Sequence, residues 1–164
     1  MKTCSLTSSV ARQVIGLISD THGLLRPEAI AALAGVDLIV HAGDIGKPSV
    51  LAELKKLAPV AAIKGNIDTG DWARRIPDFR TVRVGSHRLY LIHNVRELNF
   101  DPAARRLRVV VSGHSHKPLI TQTNGVLFVN PGSAGPRRFK LPVAVGKIFV
   151  YGPNVRAEIV ELSI

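Results

Sequence analysis

The sequence predicts an α/β fold of two packed mixed β-sheets flanked by helices. Three observations carry that expectation. Strand and helix signals alternate through the first half. Strand signals dominate the second half, separated by turn pairs. The helix signals open on proline, at Pro27, Pro48 and Pro102, where a missing N–H costs nothing.

The elements follow in order. Val14–Ser19 is a short apolar strand and Pro27–Leu33 a helix. Val36–Val40 is a second strand. Pro48–Leu57 is a second helix, with Val50, Leu51, Leu54 and Leu57 at helical spacing. Val60–Lys64 is a third strand, completing a βαβαβ unit whose crossovers imply parallel pairing. Thr81–Val84 and Arg88–Ile92 flank Gly85-Ser86 as a hairpin. Asp101-Pro102 caps a short helix that ends near Leu107. Arg108–Ser112 is a valine-rich strand. Leu119–Thr123 and Val126–Val129 flank Asn124-Gly125, a strong hairpin signal. Val143–Tyr151 and Val155–Leu162 flank Gly152-Pro153-Asn154. The second half is therefore expected to be mainly antiparallel.

A chain of 164 residues is one domain by size, enough to bury a core without staples. Residues Met1–Arg12 read as a polar lead-in, without the apolar core of a signal peptide. No apolar run approaches the roughly 20 residues of a membrane helix. Cys4 is the single cysteine, so an internal disulfide is excluded. That fits a reducing, cytoplasmic location. The net charge of +10 has two readings: an anionic partner such as nucleic acid, or a solvated basic surface.

The chemistry lies just past the strands. Asp20-Thr21-His22-Gly23 follows the first and His41-Ala42-Gly43-Asp44 the second. Gly65-Asn66 follows the third, His93-Asn94 the Arg88–Ile92 strand, and Gly113-His114-Ser115-His116 the Arg108–Ser112 strand. In open α/β sheets this carboxyl edge is where ligands bind. Carboxylates, imidazoles and a carboxamide without thiolate suit Mn, Zn, Fe, Ni or Co. So many Asp and His side chains in one place need a cation to offset their desolvation. Any one fragment is weak on its own; the ordered set is not.

That ordered set, with Asn130-Pro131-Gly132-Ser133 after it, resembles the calcineurin-like metallophosphoesterase superfamily. Within it the chain is most similar to the small bacterial and archaeal phosphodiesterase branch. The resemblance implies the metallophosphoesterase sandwich, two divalent metal ions with Mn foremost, and hydrolysis of a phosphate ester, a phosphodiester first. It implies that Asp20, His22 and His116 hold one metal, that Asn66, His93 and His114 hold the other, and that Asp44 bridges them. It places catalysis on Asp44, Asn66 and His114, through attack of a dimetal-bound hydroxide. The implied partner is a small-molecule phosphate ester. Two rivals use the same fold: a non-catalytic scaffold like the related subunit of the retromer coat, and a nuclease or nucleic-acid binder. Every ligand position is filled here, which favours the enzyme.

Two departures stand out. Many relatives carry His after the Gly-Asn pair, where this chain has Ile67, which cannot donate a proton. The branch usually carries Gly after the His that matches His93, where this chain has Asn94. Further residues have paired readings. His41 and Asp68 either support ligands from behind or do not take part in the site. Asn130 and Ser133 read first as structural, and Arg137 as a phosphate contact or a surface residue. Trp72 reads first as packing.

Overall fold

The computed structural model describes residues 11–164. The strands are β1 (Arg12–Ile18), β2 (Leu38–His41), β3 (Val60–Ala62), β4 (Phe79–Val84), β5 (His87–Ile92), β6 (Val109–Val111), β7 (Leu119–Thr123), β8 (Val126–Asn130), β9 (Ala144–Tyr151) and β10 (Asn154–Glu161). The α-helices are α1 (Pro27–Leu33) and α2 (Pro48–Lys55), each with proline in its first turn. Two single-turn 3-10 segments lie at Asp71–Ala73 and Val95–Glu97.

Two mixed five-stranded sheets result, ordered β10-β9-β1-β2-β3 and β4-β5-β6-β8-β7. The expected parallel unit is present, with β1 beside β2 and β2 beside β3. The second half is less uniform than expected. β4–β5, β7–β8 and β9–β10 are antiparallel, but β5–β6 and β6–β8 are parallel. The connections from β5 to β6 and from β6 to β8 each return the chain to the same end of the sheet. The sequence marks those strands but not their direction.

Alternation along each strand sets the layers. Ile15 and Leu17 of β1 face the second sheet and join Leu89, Leu91, Val109, Val111 and Ile148 in the central core. Burying a side chain of this size contributes roughly 1.5–3 kcal/mol. The opposite face of the first sheet packs on α1 and α2 through Ile18, Leu33, Ile39 and Leu54. Trp72 is partly buried in this layer, so it packs. Both α-helices therefore lie on one sheet. The outer face of the second sheet is covered instead by Leu98, Ala103 and neighbouring coil over Val110 and Val126.

The helix expected from Asp101 to Leu107 does not form. Asp101 Oδ1 accepts the Ala103 N–H at 3.0 Å, and Leu107 N–H reaches Pro102 O rather than continuing a helical ladder. Arg106 has φ +56°, which breaks any right-handed run. α2 also stops at Lys55, short of Leu57. The polar lead-in expected through Arg12 is corrected at its end, because Arg12 opens β1 and pairs with Tyr151. Residues 1–10, Cys4 included, lie outside the described residues.

Candidate metal centre

The carboxyl ends of β1, β2, β3, β5 and β6 converge at one end of the sandwich. Hydrogen bonds knit their loops across the two sheets. Asp20 N–H donates to Gly43 O at 3.0 Å and His22 N–H to Asp44 O at 3.0 Å. Gly113 N–H donates to His93 O at 2.9 Å, and His114 N–H reaches Asp20 Oδ2 at 3.1 Å. Glycine is required where the loops touch. A Cβ on Gly65 would collide with the Asp44 carboxylate, and one on Gly113 with Ser19 Oγ.

Five of the seven predicted ligand residues sit in the left-handed backbone region. Asp20, His22, Asp44, His114 and His116 have φ between +47° and +69°. For a residue with a Cβ this costs roughly 1–2 kcal/mol each, and the inter-loop hydrogen bonds hold it. Strain concentrated at consecutive candidate ligands marks the loops as built to aim side chains.

Each carboxylate has one oxygen held and one offered. Asp20 Oδ2 accepts the Ser19 hydroxyl at 2.6 Å and the His114 N–H, while Oδ1 faces His116 Nε2 at 3.3 Å. Asp44 Oδ1 accepts the Ile67 N–H at 3.2 Å. Its Oδ2 faces His22 Nε2 at 3.6 Å and His93 Nε2 at 3.4 Å. Ligand atoms of Asp20, His22 and His116 lie within 4.8 Å of one another, as do those of Asp20, Asp44 and His93. His114 stands beside them, its ring 5.2 Å from that of His93 and edge-on to it. Asn66 lines a cavity with His93. Asn66 and His114 are exposed, so they form the open rim of a largely buried cluster.

The cluster fits a cation. His93 Nδ1 lies 2.7 Å from the Ala42 carbonyl, which can only accept, so Nδ1 carries the proton. In neutral imidazole Nε2 then offers a lone pair toward a carboxylate oxygen. Asp20 Oδ1, His22 Nε2, His93 Nε2 and His116 Nδ1 are buried without a hydrogen-bond partner. An unsatisfied buried group costs roughly 1–3 kcal/mol. Divalent ions would take up the lone pairs of Asp20 Oδ1, His22 Nε2 and His93 Nε2 and offset two neighbouring carboxylates.

The ionisation behaviour reflects the same crowding. Burial pushes the Asp44 carboxyl up, but the close approach and charge of His93, the Ile67 N–H and His22 outweigh it and hold it at about 2. Burial pulls His93 down, yet its contact with Asp44, its bond to Ala42 and the nearby carboxylates leave it raised. At His22 burial wins over Asp44 and Asp20, and its pKa is lowered. The same crowding thus makes His22 easier to deprotonate and His93 harder.

The supporting residues resolve the paired readings. His41 is fully buried. Its Nδ1 accepts the Gly43 N–H at 3.2 Å, which leaves Nε2–H to donate to Thr21 Oγ1 at 3.0 Å. One ring thus ties the loop of Asp20 and His22 to the loop of Asp44, and burial lowers its pKa to about 4. Asp68 is buried and accepts three backbone N–H groups, from Ile45, Gly46 and Gly65. Asn130 Nδ2 holds Gly113 O at 2.8 Å and Ser115 Oγ at 3.0 Å. Ser133 Oγ donates to Asp20 O at 3.0 Å. These residues position loops from behind. Arg137 is exposed. Reasoning from sequence missed Ser19, whose only signal is its place directly before Asp20. It also missed Arg138, whose charge is felt at His22.

Comparison with known proteins shows the family of the chain. A profile of the calcineurin-like phosphoesterase superfamily domain matches residues 14–149. A probable metallophosphoesterase of Methanothermobacter thermautotrophicus is 35% identical over 160 residues, covering 90% of this chain and 92% of that protein. A phosphodiesterase of Methanocaldococcus jannaschii is 28% identical over 137 residues, covering 72% and 82%. Among solved structures, vacuolar protein sorting 29 of Cryptosporidium parvum superposes with a TM-score of 0.74 at 19% identity, covering 93% of this chain and 99% of that one. That likeness concerns the fold.

Proposed function

Because the chain belongs to the calcineurin-like phosphoesterase superfamily, we propose that it hydrolyses phosphodiesters with two divalent transition-metal ions, manganese foremost. The observation that carries this reading is Asp44 Oδ2, which faces one imidazole on each side, His22 at 3.6 Å and His93 at 3.4 Å. A carboxylate so placed suits a bridge. Asp20, His22 and His116 would then complete one site, and Asn66, His93 and His114 the other. The ions, when bound, supply Lewis acidity and a nucleophile drawn from water at neutral pH.

The chain's own residues do the rest. The His93 Nδ1–H bond to Ala42 fixes the tautomer that leaves Nε2 free to ligate. Ser19 and the His114 N–H hold Asp20 Oδ2, and Ile67 N–H holds Asp44 Oδ1, so each carboxylate keeps one oxygen aimed inward. Asn66 and His114, at the exposed rim, are the candidate ligands best placed to meet an arriving phosphate. Ile67 stands at the same rim and brings no proton to the leaving oxygen. The curated relative described as a phosphodiesterase supports the diester as the first substrate class to test.

A scaffold role is the second reading, favoured by the likeness to vacuolar protein sorting 29. Hydrolysis of bis(p-nitrophenyl) phosphate by manganese-reconstituted protein separates the two. Turnover that chelation removes, and that His114→Ala reduces far more than it lowers Tm, supports the enzyme. Equal and negligible turnover by both proteins across metals supports the scaffold.

A further inference from the structure

Two cavities flank the His93–His114 ring pair, and they differ in chemistry. One, of about 360 Å³, runs past His93 and Asn66 and is lined by the charged Lys64, Asp78 and Glu97, with Phe79 and Ile92 as its apolar residues. Lys64 Nζ and Asp78 Oδ1 are 3.6 Å apart within it. The other, of about 470 Å³, opens at His114 and is walled by Val95, Leu119 and Phe128. Among the described residues no carboxylate lines this second cavity, and Arg96 is its one Lys or Arg side chain.

Asn94 lines both cavities. Its Oδ1 accepts the Arg96 N–H at 3.1 Å and caps the Val95–Glu97 turn. That cap sends Val95 and Arg96 into the apolar cavity and Glu97 into the polar one. A glycine at this position has no side chain with which to make the cap. Across from Val95, register puts Leu119 opposite Asn130 and Thr121 opposite Phe128, on one face of β7–β8. Val95 and Leu119 are 39% and 51% exposed, so folding leaves both walls to be covered by something else.

We propose that the substrate is an unsymmetrical phosphodiester, with a ring-sized hydrophobic ester group in the Val95–Leu119–Phe128 cavity. Its second ester group, polar or hydroxyl-bearing, extends toward Lys64, Asp78 and Glu97. This rests on the hydrolase reading for the position of the phosphate between the two cavities. A monoester would leave one cavity without a use; a diester has one arm for each. Arg96 and Val95 are then specificity residues, outside the metal ligands.

Calorimetric titration of the full-length, manganese-loaded chain with benzyl methyl phosphate and dimethyl phosphate, both alkyl diesters, tests it. Burying one ring predicts that the benzyl ester binds roughly tenfold tighter. Val95→Asn and Leu119→Asn change exposed positions. Each is expected to bring the ratio toward one while leaving manganese content and dimethyl phosphate binding unchanged. A wild-type ratio near one, a ratio that survives both substitutions, or no measurable heat from either ester at millimolar concentration overturns the subsite. Turnover of bis(p-nitrophenyl) phosphate, followed in parallel, keeps the two readings apart. Turnover with a ratio near one sinks the subsite alone, and an intact ratio without turnover sinks hydrolysis alone.

Discussion

Asp68 accepts the Ile45 N–H at 3.0 Å, one residue beyond Asp44, and so fixes the loop on which Asp44 sits. The same carboxylate takes the Gly46 and Gly65 N–H groups at 2.9 Å each. Asp68→Ala leaves three donors without a partner in a closed space. It should destabilise the fold by about 3 kcal/mol or more in urea unfolding. It should also weaken manganese binding by roughly 10–100-fold, the usual effect of losing a residue that orients ligands. Unchanged values of both would show that the loop holds Asp44 without Asp68.

His41 makes stability depend on pH in a definite direction. Burial holds its folded pKa at about 4, below the ordinary value of 6.5. Below 6.5 the unfolded chain takes up a proton that the folded chain refuses. Stability from this residue is therefore full above pH 6.5 and falls as pH drops toward 4, by up to about 1.4 kcal/mol per unit. Measured on metal-free protein, the loss between pH 7 and pH 5 should be smaller in His41→Gln, which can still donate to Thr21. An equal loss in both proteins would place the pH sensitivity elsewhere.

Ile67 predicts a strong dependence on the leaving group. It is 45% exposed, and its backbone N–H holds Asp44 Oδ1, but its side chain cannot give a proton. A positioned general acid is worth about 10²–10⁴-fold, most for alcohols of high pKa. Aryl diesters should be cleaved well and alkyl phosphates poorly, with a steep negative slope of log kcat/KM against leaving-group pKa. Ile67→His should raise alkyl turnover. A flat slope with chemistry rate-limiting would mean that another residue supplies the proton. His41 and Asp68 are poor candidates, since both are buried and committed to bonds within the loops.

The sequence shows the site more fully than the fold. Each candidate ligand lies within a few residues of the end of an apolar run, so strand ends and chemistry are marked by the same short segments. Asp20, Asp44 and His93 are examples, and the structure draws their ligand atoms together. The direction of β6 and β8 is not legible, because it depends on how the intervening coil returns, not on the valines themselves. Asp101-Pro102 promised a helix that the left-handed Arg106 prevents. The role of Asp68 is hidden because its partners are backbone N–H groups, one close by and two more than 20 residues away. Asn94 looked like a departure of unknown consequence; in the structure it caps the turn between two cavities.

The central claim is a pair of metal sites sharing Asp44, and the number of manganese ions held per chain tests it most directly. Metal-free protein titrated with Mn²⁺, with bound metal counted by elemental analysis, should take up two ions. Asp44→Ala should hold fewer than two and bind each more weakly, because its carboxylate faces His22 on one side and His93 on the other. Full double occupancy in Asp44→Ala, or no more than one ion in the wild-type chain, would contradict the account.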